Sequence, residues 1–436
     1  MTRSLSKKAR DILLLNDHGG YTVPAAELYP YQWNWDSAFV ALGFAVFNHD
    51  RAWQELETLF SGQWDDGFLP HIIFHVDDSG YFPGAAVWGT NKTPQTSGIT
   101  QPPVAASVTR WLLNTNEKIG KARAAALYPK LLAWHRWFHT YRDPLKNGLV
   151  LCVHPWESGR DNSPEWDAPA ARVDTSSVEP YRRRDLALVD QGMRPSNQEY
   201  DQYIALLQHG RSQNWNHAAI ADTGPFRVFD VGMSMILLRA NRDLLALADR
   251  FGTSEECEEL QARIKLSEDN IHYLWSDAIG AYGSRDAKTG NHFEMVTSAS
   301  FLAFYAGVGG DRERAALMAN FERIDGMVRY MMPSFDPAHP KFDPIRYWCG
   351  PIWAVVNKMI ALGLIEMGHT KAGQRIVRDT CSIIEQSGFR ESYSPVTGEG
   401  TGGSDFSWTA AIWLHLSENR SATSPGVAVP HKLEPE

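Results

Sequence analysis

The stretch FDVGMSMILLRANRDLLALADRF (residues 229–251) and the one that follows it, GTSEECEELQARIKLSEDNI (residues 252–271), decide the fold class. In the first, apolar residues recur at steps of three and four, which predicts a helix that is apolar on more than one face and therefore buried. The second opens with the capping-box pattern Thr253-Ser254-Glu255-Glu256 and continues as a charged, amphipathic helix that covers a surface. We interpret the pair as an inner helix followed by an outer helix.

The same alternation of an apolar helix with a charged helix repeats along the whole chain. The predicted inner helices occupy residues 36–47, 102–113, 229–247, 298–305, 350–364 and 407–416. The predicted outer helices occupy residues 4–15, 49–60, 121–142, 253–275, 311–321 and 370–386. Strand signals are poor, because few β-branched residues alternate with polar ones. The sequence therefore predicts an all-α fold, a single (α/α)6 barrel with long loop insertions at its pocket end.

No linker divides the chain, so we expect one catalytic domain over residues 1–416. A loop-rich insertion at about residues 152–213 contains five prolines, and a loop of this length inside a compact domain usually has a function. Residues 417–436 are polar, contain three prolines and are expected to form a flexible tail.

Composition excludes several classes of protein. The chain has 436 residues, with 42 Lys and Arg against 51 Asp and Glu, and a net charge of −9 that argues against a nucleic-acid binder. No apolar run is long enough to span a membrane, and residues 1–17 lack a signal-peptide core, so we expect a cytoplasmic protein. The four cysteines are scattered without a CxxC pair, which argues against a zinc or redox motif. Nothing in the sequence calls for a metal or cofactor, and the oligomeric state is left open.

The 16 tryptophans are unusual, since many lie in polar, Gly/Pro-rich loops. Such rings suit stacking on the C–H faces of sugars, although they also suit the core of a large helical fold. In YQWNWDSAF (residues 31–39), Trp33 and Trp35 flank Asp36, which either caps a helix or accepts hydrogen bonds from sugar hydroxyls. Gln101, in TQPP (residues 100–103), precedes another helix start and gives a weaker signal.

The loop HPWESGRDNSPEWD (residues 154–167) concentrates four carboxylates and two indoles in 14 positions. Glycosidic cleavage needs a carboxylic acid that protonates the leaving oxygen and a second carboxylate opposite to it. Burial against aromatic rings raises the pKa of such an acid. The alternative interpretation is a solvated acidic loop. Two further segments combine aromatic residues with glycine: RYWCGPIW (residues 346–353) and RESYSPVTGEGTGGSDFSWT (residues 390–409), and the second also contains Glu391 and Glu399.

Taken in order, WNWDSAF, TQPP, ESGRDNSPEWD, YWCGPIW and RESYSPVTGEGTGG with FSWTAA resemble the inverting (α/α)6-barrel glycosidases related to family 63 and the trehalases. The resemblance implies that Asp161 is the general acid and Glu391, in an E-x-Y segment with Tyr393, is the general base. Glu399, in the same Gly-rich loop, is the rival base. Cys349 is a departure, because many relatives have Arg at that position.

The segment RRRD (residues 182–185), together with RPSNQEYD (residues 194–201), resembles the equivalent stretch of the bacterial mannosylglycerate and glucosylglycerate hydrolases. This resemblance implies that Arg194 and Tyr200 hold the carboxylate of glycerate, as the bidentate geometry of a guanidinium allows. Alternatively, Arg194 is a surface arginine and Tyr200 a core tyrosine. The complete set of expected substrate-binding residues is Tyr31, Trp33, Trp35, Asp36, Gln101, Trp156, Arg194, Tyr200, Tyr347 and Trp353.

The expected function is inverting hydrolysis of an α-glycoside of a hexose and D-glycerate, with the hexose left open between glucose and mannose. Three alternatives remain at this stage. The first is a trehalase-like enzyme or another α-glucosidase that acts on a small disaccharide. The second is a sugar 2-epimerase or isomerase on the same barrel, for which His154 is the only histidine inside a candidate segment. The third is a non-catalytic sugar-binding module.

Overall fold

Long helices alternate with loops and very short strands in the computed structural model, which describes residues 2–418. The α-helices in this range are α1 Thr2–Leu15, α2 Asn34–Ala45, α3 His49–Leu59, α4 Ala85–Trp88, α5 Ala105–Thr115, α6 Glu117–Tyr141, α7 Asp167–Ala170, α8 Asp185–Leu188, α9 Asn197–Ser212, α10 His217–Thr223, α11 Val231–Phe251, α12 Ser254–Asn270, α13 Leu302–Ala306, α14 Asp311–Asp325, α15 Ala354–Glu366, α16 Thr370–Ser387 and α17 Ser407–Glu418. The strands are β1 Gln32–Trp33, β2 Ile72–Phe74, β3 Gln95–Thr96, β4 Leu151–Cys152, β5 Val228–Phe229, β6 Trp275–Ser276, β7 Ala281–Tyr282, β8 Arg285–Asp286, β9 Arg390–Tyr393 and β10 Gly400–Ser404.

The apolar helices pack against one another and the charged helices cover them. Contacts join α2 to α5, α5 to α11, α11 to α13, α13 to α15, α15 to α17, and α17 to α2. Outside this set, α3 packs on α2, α6 on α5, α12 on α11, α16 on α15 and α1 on α17. Every residue of α2 is buried, which agrees with its apolar composition. The predicted mainly helical class is confirmed.

The observed helix bounds differ from the predicted ones mostly where proline or glycine precedes a helix. The helix expected from residue 102 begins at Ala105, because the ring of Pro103 disfavours the α conformation for the preceding Pro102. The helix expected from residue 350 begins at Ala354, after the turn that contains Gly350 and Pro351. The inner helix expected over residues 298–305 is a 3-10 turn at 298–301 followed by the short α13.

The strands lie next to the N-terminal ends of inner helices. Strand β1 leads directly into α2, β5 into α11, and the β9–β10 hairpin is followed by α17. All pairings between these strands are antiparallel, in the orders β1-β2-β3, β4-β5-β8, β6-β7 and β9-β10. They escaped prediction because strands of two to five residues are too short to show a period of two. Their effect is to hold the loops at one end of the inner helices.

The insertion at residues 152–213 is less loop-rich than the sequence predicts. It ends in α9, a helix of 16 residues that is capped by a reciprocal Ser196–Glu199 capping box. The prolines and charges ahead of it obscured this helix. The predicted tail at 417–436 lies mostly outside the described residues, and Ser417 and Glu418 complete α17. None of the helices within residues 2–418 has the length and apolarity needed to cross a bilayer.

Candidate active site

A cavity opens at the end of the fold where the inner helices begin, and most of its wall comes from the loops before those helices. Eleven of the twelve residues predicted for the site line it: Trp33, Trp35, Asp36, Gln101, Trp156, Asp161, Arg194, Tyr200, Tyr347, Trp353 and Glu391. The wall also contains residues that were not predicted: Pro24, Leu28, Tyr29, His71, Ile72, Tyr81, Phe82, Pro83, Gly159, Arg184, Asp185, Pro195, Trp348, Phe406 and Trp408.

Tyr31 is the one predicted residue that does not line the cavity. Its ring is 5.2 Å from that of Tyr81, and the Tyr81 ring is in turn 6.0 Å from that of Trp33. Tyr81 and Trp33 both reach the cavity, so Tyr31 supports them from behind. Membership of the YQWNWDSAF motif could not show which of its aromatic rings faces the cavity.

Asp36 lies in the first turn of α2, where Trp33 and not Asp36 occupies the N-cap position. The Asp36 side chain is therefore placed to face the cavity. Burial raises its pKa well above the ordinary value, and the nearby Glu391 and Asp161 carboxyl groups add to this effect. Gln101 fixes the entrance to the same helix, because its Oε1 accepts a hydrogen bond from the Trp35 backbone N–H at 3.3 Å.

Asp161 follows a tight turn that depends on glycine. Gly159 has a φ of +68°, and a Cβ at this position would lie 2.7 Å from the Trp35 indole. The next residue, Arg160, is buried and forms ion pairs with Glu165 and Asp230. These anchors hold the backbone from which the Asp161 side chain enters the cavity.

Burial raises the pKa of Asp161 to about 7; the Arg194 guanidinium opposes this rise and the Glu391 carboxylate adds to it. The Asp161 backbone carbonyl accepts a hydrogen bond from the Tyr203 hydroxyl at 2.8 Å. At neutral pH a substantial fraction of Asp161 therefore carries a proton. A carboxylic acid in this state can protonate a leaving oxygen.

Glu391, on β9, is 1% exposed and accepts hydrogen bonds from several donors. Nη1 of Arg194 lies 3.2 and 3.1 Å from its two carboxylate oxygens, the Tyr29 hydroxyl donates at 2.9 Å, and the Gly403 backbone N–H donates at 2.9 Å. Only an ionised carboxylate accepts at every position. Gly402 has a φ of +69°, and a Cβ at this position would lie 2.3 Å from Oε2 of Glu391, which leaves no room for a side chain.

Glu399, the rival base, lies outside the cavity wall and is exposed to solvent. Its carboxylate accepts a hydrogen bond from the Thr397 hydroxyl at 3.2 Å, within its own loop. Geometry therefore favours Glu391 over Glu399 for any role at the cavity.

Tryptophans form one wall of the cavity. Trp348 and Trp353 stack with ring centroids 4.0 Å apart and an interplanar angle of 3°. Trp408 meets Trp353 edge-on at 5.6 Å and meets Trp35 edge-on at 5.7 Å. Trp348 and Trp408 lie within the quoted motifs and could have been predicted. Tyr29, on the opposite side of Glu391, lies in no motif.

Arg194 is 5% exposed, so its interpretation as a surface arginine is wrong. Besides binding Glu391, it donates from Nε to Asp185 at 3.0 Å and from Nη2 to the Tyr29 hydroxyl at 2.6 Å. Each of its three guanidinium nitrogens therefore donates to a partner. Its guanidinium lies 4.3 Å from the centroid of the Tyr347 ring.

Cys349, the departure from the family pattern, does not line the cavity. Its thiol donates to the backbone carbonyl of Asn162 at 3.3 Å, directly after Asp161 in the chain. The Asn162 side chain in turn accepts a hydrogen bond from the Trp348 N–H at 2.9 Å. The position thus joins the loop of Asp161 to the loop before α15.

The histidines near the cavity are held by other groups. His154 binds the Tyr203 carbonyl through Nε2 and accepts from the Trp156 N–H through Nδ1, and it does not line the cavity. His71 does line it, and burial lowers its pKa well below the ordinary value. Within residues 2–418, no three His, Cys, Asp or Glu side chains cluster in a way that could hold a metal ion.

Residues 29–409 match the family model described as the mannosylglycerate hydrolase MGH1-like glycoside hydrolase domain. The chain belongs to this glycoside hydrolase family. It is 46% identical to mannosylglycerate hydrolase MGH1 of Selaginella moellendorffii, over 93% of this chain and 84% of that protein. It is also 46% identical to the mannosylglycerate hydrolase of Thermus thermophilus, over 93% of this chain and 99% of that protein.

This glycoside hydrolase is also similar to solved structures. A GH63 mannosylglycerate hydrolase from Thermus thermophilus, in complex with Tris and D-glycerate, matches with a TM-score of 0.92 and 45% identity, covering 95% of this chain and 100% of that one. Neutral trehalase Nth1 from Saccharomyces cerevisiae matches with a TM-score of 0.59 and 13% identity, over 92% of this chain and 75% of that one, which shows a shared fold only. The predicted resemblance to family 63 is confirmed, and the chain is an enzyme.

Proposed function

We propose that this glycoside hydrolase cleaves an α-glycoside of a hexose and D-glycerate, with mannosylglycerate as the preferred substrate, and inverts the anomeric centre. One observation carries the proposal. Asp161, whose pKa is raised to about 7, and Glu391, which accepts from a guanidinium, a hydroxyl and a backbone N–H, face the same indole-walled cavity.

In the proposed mechanism, protonated Asp161 donates its proton to the glycosidic oxygen, and the C–O bond to the anomeric carbon breaks. Ionised Glu391 takes a proton from a water molecule that attacks the same carbon from the opposite face. Inverting enzymes separate the two carboxyl groups by roughly 6.5–9.5 Å to leave room for this water.

The sugar and the aglycone would occupy different parts of the cavity. We assign the hexose to Trp33, Asp36, Gln101 and Trp353, because they combine stacking surface with hydrogen-bonding groups close to both carboxyl groups. For the glycerate carboxylate, the guanidinium of Arg194 and the hydroxyl of Tyr200 offer donors. The Tyr200 hydroxyl donates to the Phe82 carbonyl at 3.3 Å and would turn from it to the ligand. Trp35, Trp156 and Tyr347 complete the wall around them.

Glucosylglycerate is the second candidate substrate. The glucosylglycerate hydrolase of Mycolicibacterium hassiacum is 34% identical over 94% of this chain and 97% of that protein, below the 46% of the mannosylglycerate hydrolases. Proton NMR of the purified enzyme with α-mannosylglycerate, α-glucosylglycerate and trehalose tests the proposal. We expect the β-anomer of mannose to appear first, together with glycerate. Release of the α-anomer would refute inversion. Faster cleavage of trehalose than of the two glycerate glycosides would refute D-glycerate as the aglycone.

We also propose that the six inner helices close into an (α/α)6 barrel in a cytoplasmic enzyme that acts on a small dissolved substrate. The pairwise contacts that run from α2 around to α17 and back to α2 support the closed ring. Small-angle scattering of the purified enzyme, compared with the profile of a closed barrel, tests this part.

A further inference from the structure

Asp185 is a buried carboxylate that lies between two buried arginines, Arg183 and Arg194. It belongs to the loop-rich insertion and not to one of the long helices, so helix packing does not explain why a charge is buried there. It begins the four-residue helix α8, inside the insertion, and is 8% exposed. Its Oδ2 lies 2.6 Å from Nη2 of Arg183 and 3.0 Å from Nε of Arg194, and Nε of Arg183 lies 3.1 Å from its Oδ1.

The arginine on the cavity side carries the contact onward to Glu391. Each nitrogen of Arg194 has a different partner: Nε binds Asp185, Nη1 binds both oxygens of Glu391, and Nη2 binds the Tyr29 hydroxyl. Because a guanidinium is planar and rigid, fixing Nε from one side fixes the direction in which Nη1 and Nη2 point. The position of Glu391 thus depends on a carboxylate with which it has no direct contact.

The arginine on the far side anchors Asp185 to the protein. Nη1 of Arg183 donates to the Pro195 carbonyl at 2.7 Å and to Oδ1 of Asn197 at 3.3 Å, close to the start of α9. The ring of Tyr200 lies 4.2 Å from its guanidinium. The resulting array, Arg183–Asp185–Arg194–Glu391, alternates in charge and joins the insertion to β9.

We propose that Asp185 is a positioning residue for the general base: it orients Arg194, and Arg194 holds Glu391 where it can take a proton from the attacking water. The inference rests on the proposed role of Glu391. It assigns to the insertion a part in the chemistry itself, in addition to any part in binding the aglycone.

Two substrates separate this role from aglycone binding. Mannosylglycerate needs the acid, the base and the aglycone contacts, whereas α-mannosyl fluoride has no carboxylate and its fluoride leaves without protonation. Hydrolysis of the fluoride breaks the C–F bond and forms a C–O bond to water, whose proton goes to the base. A variant with an impaired base therefore hydrolyses the fluoride slowly as well, whereas a variant with impaired aglycone binding hydrolyses the fluoride at the normal rate.

We expect Asp185→Asn to lower kcat roughly ten- to hundredfold on both substrates, the loss typical of removing a hydrogen bond to a charged group, with KM for the fluoride within about threefold of wild type. Asp201→Asn is the matched control. Asp201 lies in the same insertion and accepts from the Tyr181 hydroxyl at 2.6 Å, outside the cavity wall. We expect it to stay within about twofold of wild type, as peripheral substitutions usually do.

Normal kcat of Asp185→Asn on the fluoride, with or without a raised KM for mannosylglycerate, would overturn the proposal. If Asp185→Asn does not fold, the double variant Arg183→Gln/Asp185→Asn removes both charges of the Arg183–Asp185 ion pair. The same changes in kcat and KM are then expected of the double variant. The Glu391→Gln variant distinguishes failure of the proposed function from failure of the positioning role of Asp185. If it hydrolyses the fluoride at the wild-type rate, the proposed function fails; if it is inactive while Asp185→Asn is normal, only the positioning role fails.

Discussion

The loop that carries Asp161 and the β9–β10 hairpin that carries Glu391 each bring a carboxyl group to the cavity, but they surround it with different hydrogen-bond partners. Asp161 is half-buried at the cavity and Glu391 is 1% exposed, so the carboxyl group whose pKa is raised to about 7 is not the less exposed of the two. The Asp161 backbone is anchored through Arg160 and Tyr203, while no donor from these anchors reaches its carboxyl group. The Glu391 carboxylate accepts from Arg194, Tyr29 and the Gly403 N–H.

The difference teaches that hydrogen-bond partners, rather than burial, decide which carboxyl group can act as the acid and which as the base. Burial alone raises a carboxyl pKa, and an adjacent guanidinium with further donors favours the ionised form. An inverting glycosidase needs one group of each kind.

The largest effect should come from removing either carboxyl group. We expect Asp161→Asn and Glu391→Gln each to lower kcat on mannosylglycerate by about 10²–10⁴, the usual contribution of general acid or base catalysis. On α-mannosyl fluoride, which needs no acid, Asp161→Asn should recover most of its activity and Glu391→Gln should not. Steady-state kinetics with both substrates measures this, with circular dichroism as the folding control. Equal recovery of the two variants would contradict the assigned roles.

Stability should change in opposite directions in the same two variants. The pKa of Asp161 is raised from 3.8 to about 7 in the native state, so the native state resists ionisation. Below pH ~4 both states hold the proton; between pH ~4 and ~7 the native state loses relative stability, and above pH ~7 the deficit is complete at up to about 4 kcal/mol. Asp161→Asn removes this deficit and should stabilise the enzyme more at pH 8 than at pH 5.

Glu391→Gln should instead destabilise the enzyme, because it removes a carboxylate that compensates the buried Arg194. Urea unfolding of both variants and the wild type at pH 5 and pH 8 measures the two free-energy changes. Changes of the same sign at pH 8 would show that the two sites do not differ in the way proposed.

The sequence predicted the helical class and most helix bounds because the inner helices are apolar on more than one face and the outer helices on one. Glu391 and Asp161 were reached through motifs that resemble a known family. The motifs do not encode contacts between distant loops. Tyr29 and Arg194, 165 positions apart, meet only after folding, and the resemblance of the segment that contains Asp185 implied no role for that residue. For a related reason, the motif that contains Tyr31 does not show that its ring lies behind the cavity wall.

Tyr29→Phe tests one donor on the Glu391 side of the comparison. It removes the hydroxyl that donates to Glu391 at 2.9 Å and accepts from Arg194 at 2.6 Å, while the ring stays in place. We expect kcat to fall about tenfold, since a hydrogen bond to a charged group contributes roughly 1.5–3 kcal/mol and Arg194 and the Gly403 N–H still hold the carboxylate. Kinetics on α-mannosyl fluoride checks this, with Tyr31→Phe as the matched control outside the cavity. Equal loss in the two variants would argue against a specific role for the Tyr29 hydroxyl.

The smallest effect is expected at Glu399, which shares the hairpin with Glu391 but not its environment. Glu399 is exposed, and its partner is Thr397 in the same turn, whereas Glu391 is paired with the Arg194 guanidinium. Glu399→Gln should leave kcat and KM within about twofold of wild type, because exposed substitutions away from a site usually change little. Steady-state kinetics of Glu399→Gln and Glu391→Gln, measured side by side, checks which glutamate is the base. The two variants make the same substitution, so only the position differs. A large loss at Glu399 with retained activity at Glu391→Gln would exchange the two roles, and the hydrogen-bond pattern around Glu391 would then need a purely structural explanation.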